Sequence, residues 1–213
     1  MTKQWKITIA ILTGLLLFSK KAKANSPYND YEAMLKLFLD SFTKSFGPLK
    51  EAQSKSIAQI VLSFIDYGDR DLRKLAYILG TAWHESKLIL DREKRGQLGT
   101  KLYQLQEAYW YTGFYGRGLI QITHEDNYKR MGKALRVDLV NNPDLALDRA
   151  ISADIAVRGM MEGIFTGLPL SRFINGATAD YYNARKVVNR TDQAELIASY
   201  TTTIIRNLEY QIV

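Results

Sequence analysis

Two short segments hold the side chains best suited to chemistry. His84-Glu85-Ser86 sets a carboxylate at the end of an apolar helical run, directly after Trp83. About thirty residues later, Tyr115-Gly116-Arg117-Gly118-Leu119-Ile120-Gln121-Ile122-Thr123 joins two glycines and an arginine to a short alternating run that ends in polar side chains. A carboxyl group held among apolar neighbours has its charged form disfavoured, so it can keep a proton near neutral pH and pass it to a leaving glycosidic oxygen. That is the chemistry expected of Glu85; the alternative is a helix-end carboxylate facing solvent. His84-Glu85 also opens a zinc-protease pattern, which needs a second histidine at position 88. That position is Leu88, and the other histidine is His124, so no metal is expected.

Hydrolysis of a glycosidic bond usually takes two carboxyl groups. Asp91, Glu93 and Glu107 are the candidates for the second. Glu93 stands between Arg92 and Lys94, cations that suit a carboxylate acting as a base. Glu107 lies among Tyr103, Tyr109, Trp110 and Tyr111, a set suited either to stacking on sugar or to packing. Glycine on either side of Arg117 permits close backbone approach, and Arg117 is expected to pair with a catalytic carboxylate and position it. If Gly118 to Thr123 is extended, Gln121 and Thr123 point the same way while Ile120 and Ile122 point inward. An amide and a hydroxyl on one shelf suit an N-acetyl group or a held water; the alternative is an ordinary amphipathic strand.

Mostly helical elements must position these groups. Apolar spacing predicts helices over 30–42, 54–64, 72–84, 126–135, 151–165 and 192–208. Asp71 is placed to cap the third. Residues 87–113, punctuated by Gly96, Gly99 and Gly113, read as irregular, which in a compact domain marks a functional or disordered stretch. The expected fold is mainly α, a single domain with at most a small β-hairpin near the cleft.

The N-terminal stretch reads differently. Lys3 and Lys6 precede the apolar run 7–18, and Ala22-Lys23-Ala24 reads as a cleavage site. Residues 1–24 are expected to be a secretory signal peptide or an uncleaved signal anchor, leaving 25–213 as the domain. The formal charge is +7, from 29 basic and 22 acidic residues; 1–24 hold five lysines and no acid, so 25–213 carry 24 against 22, or +2. A nucleic-acid partner is poorly supported by that balance. Cysteine is absent, which excludes disulfides, thiolate nucleophiles and cysteine zinc sites.

Glu85 in WHES, YGRGLIQIT, Asn127-Tyr128 and the Asn141-Asn142-Pro143-Asp144-Leu145 turn together closely resemble family 19 glycoside hydrolases, nearest to the short form of bacteria and phages. The resemblance covers roughly residues 55–205. It implies a helical, lysozyme-like fold with a cleft between two lobes. It also implies inverting hydrolysis of β-1,4 bonds in polymers containing N-acetylglucosamine, with no cofactor. By position it makes Glu85 the general acid and Glu93, in Arg92-Glu93-Lys94-Arg95-Gly96, the base, with Glu107 as second choice. Thr123 falls where the family holds the attacking water; Gln121 and Asn127 match sugar-contacting positions, and Arg117 is grouped with them. Asn189 matches a late sugar-contacting asparagine, although Arg190 stands where glycine is usual; Asn175-Gly176 is the competing match. The expected partner is cell-wall polysaccharide, peptidoglycan ahead of chitin, with a non-catalytic wall-binding protein as the other class. The protein is expected to be exported and monomeric, touching membrane only through an uncleaved leader.

Overall fold

A computed structural model describes residues 27–176 and 178–212. The expected leader, residues 1–24, lies outside them. Among the described residues seven α-helices form: α1 (Pro27–Phe46), α2 (Glu51–Tyr67), α3 (Leu72–Ser86), α4 (Lys101–Gln106), α5 (Glu125–Leu135), α6 (Arg149–Met161) and α7 (Ala194–Ile212). The mainly helical architecture expected from the sequence is the one found.

Helix α3 is the centre of the molecule. Its residues Leu75 to Ala82 are all buried, so apolar or small side chains cover its whole circumference rather than one stripe. Asp71 caps it by accepting from Arg73 N at 3.0 Å. Helix α7 packs along α3, α1 bridges α7 and α2, and α6 lies against α2. The buried Ser41 hydroxyl donates to Ile204 O at 2.8 Å, tying α1 to α7. Arg149 Nη1 donates to Ser56 Oγ at 2.7 Å and Ala52 O at 3.1 Å, tying α6 to α2. One apolar core runs through these helices.

Strand structure is slight. β1 (Ile174–Asn175) pairs antiparallel with β2 (Thr178–Ala179), Ile174 opposite Ala179 and Asn175 opposite Thr178. Elsewhere, isolated bridges join Arg92 to Arg117 and Arg117 to Ile122.

Four local expectations are corrected. Gly118 to Thr123 is not extended: the Arg117–Ile122 bridge closes a turn over 118–121, with Gly118 at φ +78° and Gln121 at φ +51°. The turn forms because Leu119 is held from both sides. Its N–H donates to Ser152 Oγ of α6 at 2.8 Å, and its carbonyl accepts from Ser86 Oγ of α3 at 2.8 Å. Residues 87–113 contain α4 and a 3₁₀ turn, Trp110–Thr112. The helix expected over 151–165 runs from Arg149 to Met161, because Gly163 takes φ +71° and the chain doubles back. Phe165 then lies on Gly159, where a Cβ would stand 2.1 Å from the ring. The last helix begins at Ala194 and continues to Ile212, later at both ends than expected.

Candidate active site

Between the C-terminal end of α3 and the segment 91–127 lies a pocket of about 440 Å³. Glu85, Glu93, Gln121, Thr123, Asn127 and Asn189 all line it, as do His84, Tyr109, Gly116, His124, Phe165, Arg185 and Asp192. The fold therefore gathers side chains that are far apart in the chain.

Glu85 leaves α3 where the helix ends; Lys87 takes the left-handed conformation that stops it. Its Oε1 accepts from Arg185 Nη2 at 2.8 Å. The sequence expectation was an apolar setting provided by Trp83, but that ring stacks on Phe46 of α1 at 4.6 Å between centroids. The neighbour is instead a guanidinium whose side chain is only 3% exposed. Arg185 comes from a 3₁₀ turn, Asn183–Val187, and its Nε donates to Asp192 O at 2.9 Å. Its remaining terminal nitrogen, Nη1, is buried with no hydrogen-bond partner among the described residues. Sequence reasoning missed Arg185; the signal was an arginine set within Ala184, Val187 and Val188. Burial pushes the His84 imidazole below its usual pKa, against the opposing pull of Glu85, so it is neutral at neutral pH.

Glu93 is fixed more tightly. Its Oε1 accepts from Gln106 Nε2 at 2.8 Å and Tyr109 Oη at 2.6 Å, and its Oε2 accepts from Gly116 N at 2.9 Å. A carboxylate offers about four acceptor sites, so Oε2 keeps one lone pair to spare. Burial and the bond to Glu93 hold the Tyr109 phenol well above its usual pKa, so it stays protonated and donates to Glu93. Gly116 makes a close approach here: a Cβ there would stand 3.2 Å from Glu93 Cβ and 2.8 Å from Gln121 Oε1. Gln106, fully buried, also donates to Lys94 O and accepts from Gly96 N, which fixes the backbone around Glu93. This amide was not found from sequence; a glutamine in a polar stretch carries no mark of burial.

Gln121 donates through Nε2 to Asp91 O at 3.1 Å and Gly118 O at 2.9 Å, which holds its strained backbone. Thr123 Oγ1 donates to Gln121 O at 2.8 Å, leaving its lone pairs to accept. Asn127 Nδ2 donates to Thr123 O at 2.7 Å, while its Oδ1 accepts from Arg130 Nη2 at 2.6 Å. Asn189 Oδ1 accepts from Arg190 N at 2.8 Å.

Four sequence candidates stand elsewhere, among them Asp91, whose Oδ1 accepts from Arg92 N at 2.8 Å outside the lining. Arg117 does not line the pocket and does not meet a pocket carboxylate. It is 4% exposed and bonds Asp144 Oδ1 through Nε at 2.8 Å, with Nη1 donating to Gly113 O, Tyr115 O and Tyr128 Oη. Burial pushes the Tyr128 phenol up to about 12, and it donates onward to Tyr115 O. Partial burial raises the Asp144 carboxyl, but bonds from Arg117 and Arg92 outweigh that and hold it below its usual pKa. The Gly-Arg-Gly, Asn-Tyr and Asn-Asn-Pro-Asp segments thus form one scaffold under the pocket. Glu107 is also outside the lining and pairs with Arg95. Arg95 in turn lies over the rings of Tyr103, Trp110 and Tyr111, so those aromatics face a guanidinium. Asn175 lies in β1, away from the lining, with Nδ2 donating to Ser171 O. Among the described residues no group of three His, Cys, Asp or Glu is placed to hold a metal.

The site is thus a pocket in a mainly helical domain that gathers three carboxylates, a threonine hydroxyl and several amides. Residues 93–164 match the family described as chitinase class I, glycoside hydrolase family 19. That match contains Glu93, Gln121, Thr123 and Asn127; Glu85 and Asn189 fall outside it. An acidic endochitinase of Petunia hybrida is 54% identical over 46 residues, 21% of this chain and 18% of the relative. A basic endochitinase of Vitis vinifera is 62% identical over 40 residues, 18% of this chain and 13% of the relative. An inactive chitinase-like protein 1 of Hevea brasiliensis is 53% identical over 45 residues, 21% of this chain and 14% of the relative. The aligned stretches thus span less than a fifth of these relatives' length. Among solved structures, a chitinase C with one glutamate replaced by glutamine superposes with a TM-score of 0.55 at 18% identity, covering 80% of this chain and 91% of that one. Residues 93–164 are thus similar to part of the family 19 glycoside hydrolases, and the structural likeness, at 18% identity, is one of fold alone.

Proposed function

We propose that the protein hydrolyses β-1,4 bonds in cell-wall polymers containing N-acetylglucosamine, with inversion and without a cofactor. The observation that carries this is the meeting of Glu85, Glu93 and Thr123 in one pocket. Glu85 takes the role of general acid in this reading: Oε1 accepts from Arg185, which leaves Oε2 as the atom to pass a proton to the leaving oxygen. Glu93 is the base, its orientation locked by Gln106, Tyr109 and Gly116 while Oε2 keeps a lone pair for a water proton. Thr123 Oγ1 accepts a hydrogen bond from the other O–H of that water, since its own hydroxyl donates to Gln121 O. Inversion requires the two carboxyl groups to stand on opposite faces of the sugar, about 6.5–9.5 Å apart, with a water between them. Gln121, Asn127 and Asn189 supply amides for the sugar chain.

Peptidoglycan is the preferred polymer in this reading, handled by an exported, monomeric protein formed by residues 25–213. Chitin is the second reading, favoured by the names of the curated relatives, which are endochitinases. A binding protein without catalysis is a third, favoured by the Hevea relative named as inactive.

The test is reducing-end release from purified peptidoglycan and from chitin oligomers, with and without Glu85→Gln. Release that the substitution abolishes supports the glycosidase and names its polymer. Binding to both polymers without release from either would overturn the enzymatic reading.

A further inference from the structure

A second recess, of about 560 Å³, adjoins the pocket and shares Val188 and Asn189 with it. Its other walls are Thr166, Leu168, Lys186, Arg190 and Thr191, and no carboxylate lines it. Lys186 and Arg190 are exposed, and neither makes an ion pair with a described residue. Asp180 feels Lys186 as a nearby charge, but its oxygens are bonded to Asn183.

The two cations stand on a fixed segment. Thr166 Oγ1 donates to Lys186 O at 2.9 Å and Val187 O at 3.1 Å. Val187 is fully buried, and Arg185 is held by Glu85 and Asp192 O. Asn189, in the pocket, accepts from the backbone N–H of Arg190, so amide and guanidinium share one local turn. The pocket itself carries Glu85, Glu93 and Asp192 against Arg185, a lining suited to neutral sugar.

Chitin is uncharged along its length. Peptidoglycan has the same sugar backbone, with peptides bearing free carboxylates on alternate sugars. A cationic recess that shares a wall with the sugar pocket meets such a substituent and has nothing to meet on chitin. We infer that Lys186 and Arg190 bind the peptide carboxylates of peptidoglycan and so set the substrate preference of the neighbouring cleft. This rests on the glycosidase reading for its substrate, but it is tested separately, by binding.

The experiment compares three probes on the full chain: a four-sugar peptidoglycan fragment bearing its peptides, the same fragment with its carboxylates converted to amides, and the chitin tetramer. Each is titrated calorimetrically against the unaltered protein and against Lys186→Gln/Arg190→Gln. Both positions are exposed, so the substitution leaves the fold intact. Two exposed ion pairs give a preference of about three- to tenfold. The unaltered protein should bind the acidic fragment tighter than the amidated one by that factor. The double variant and high salt should both erase the difference, with chitin-tetramer affinity unchanged. Equal affinity for acidic and amidated fragments, or a loss in the variant that extends equally to chitin, overturns the inference. Reducing-end release is measured on the same samples. Release without a carboxylate preference keeps the glycosidase and discards the recess; a carboxylate preference without release does the reverse.

Discussion

At position 93 the carboxylate is gripped by three donors inside the pocket, whereas at position 107 it is tied to an arginine outside it. Replacing each by glutamine separates the two candidates for the base. Glu93→Gln should lower kcat by about 10²- to 10⁴-fold, the usual worth of general base catalysis. Glu107→Gln should leave it essentially unchanged. The reverse ranking, measured on folded protein, would move the base to Glu107. His84 gives a pH prediction. Burial lowers its folded pKa, so as pH falls the unfolded chain takes up the proton first. The stability contributed by neutral His84 is present above its unfolded pKa of about 6.5 and is lost as pH falls through the folded value. Urea denaturation from about pH 7 to pH 5 should show a decline that His84→Gln reduces; an identical slope in the variant would assign the decline to other groups. Glu85 was legible in sequence because a carboxylate at the end of an apolar helix is conspicuous. Its partner Arg185 and the Glu93 clamp Gln106 were not, since both depend on chain segments brought together only by folding.

Helix periodicity is local, which is why the long helices were legible as elements and only their ends moved. The pocket-forming turn was not, because its shape is set from outside: Ser86 of α3 and Ser152 of α6 grip Leu119 and bend an alternating run that otherwise reads as a strand. Gly118 is the residue on which that bend depends. At φ +78° its missing Cβ would lie 2.4 Å from Ser152 Oγ and 2.5 Å from Ala146 O. Gly118→Ala should therefore cost more than the roughly 1–2 kcal/mol of a left-handed alanine alone. Gly47, at φ +86° with nothing within 4 Å, isolates that conformational cost. Thermal melts should rank Gly118→Ala below Gly47→Ala. Each 1 kcal/mol corresponds to about 2–4 °C for a chain of this size. Activity should fall in the first variant alone, because Gln121 and Thr123 follow the turn. Equal melts would mean that Ser152 and the Ala146 carbonyl give way easily and that the turn is not anchored by close packing.

The pocket is a property of the whole molecule. Its walls come from the end of central helix α3, from the turn-rich segment 91–127 and from the approach to α7. Behind them a single core extends from α1 to α7, closed by the Ser41–Ile204 bond and by Asn207 Nδ2 donating to Ser45 Oγ at 2.8 Å. The first and last described helices thus hold each other, and no helical layer can leave without exposing core shared with the rest. Unfolding should accordingly be one cooperative transition, with calorimetric and van't Hoff enthalpies in agreement. The pocket side carries the weaker restraint: α4 has six residues, and Leu98, Leu102, Leu105 and Tyr111 around it are exposed. Local opening is drawn from such regions, where few apolar contacts are buried. Yet Glu93, Gln106 and Gly96 tie this segment to the pocket by hydrogen bonds. Activity assayed along a thermal ramp should then vanish with the same midpoint as the helical circular dichroism signal. Activity lost several degrees earlier, with the helical signal intact, would show that the segment around α4 opens independently and that the Gln106 clamp is the weak point of the cleft.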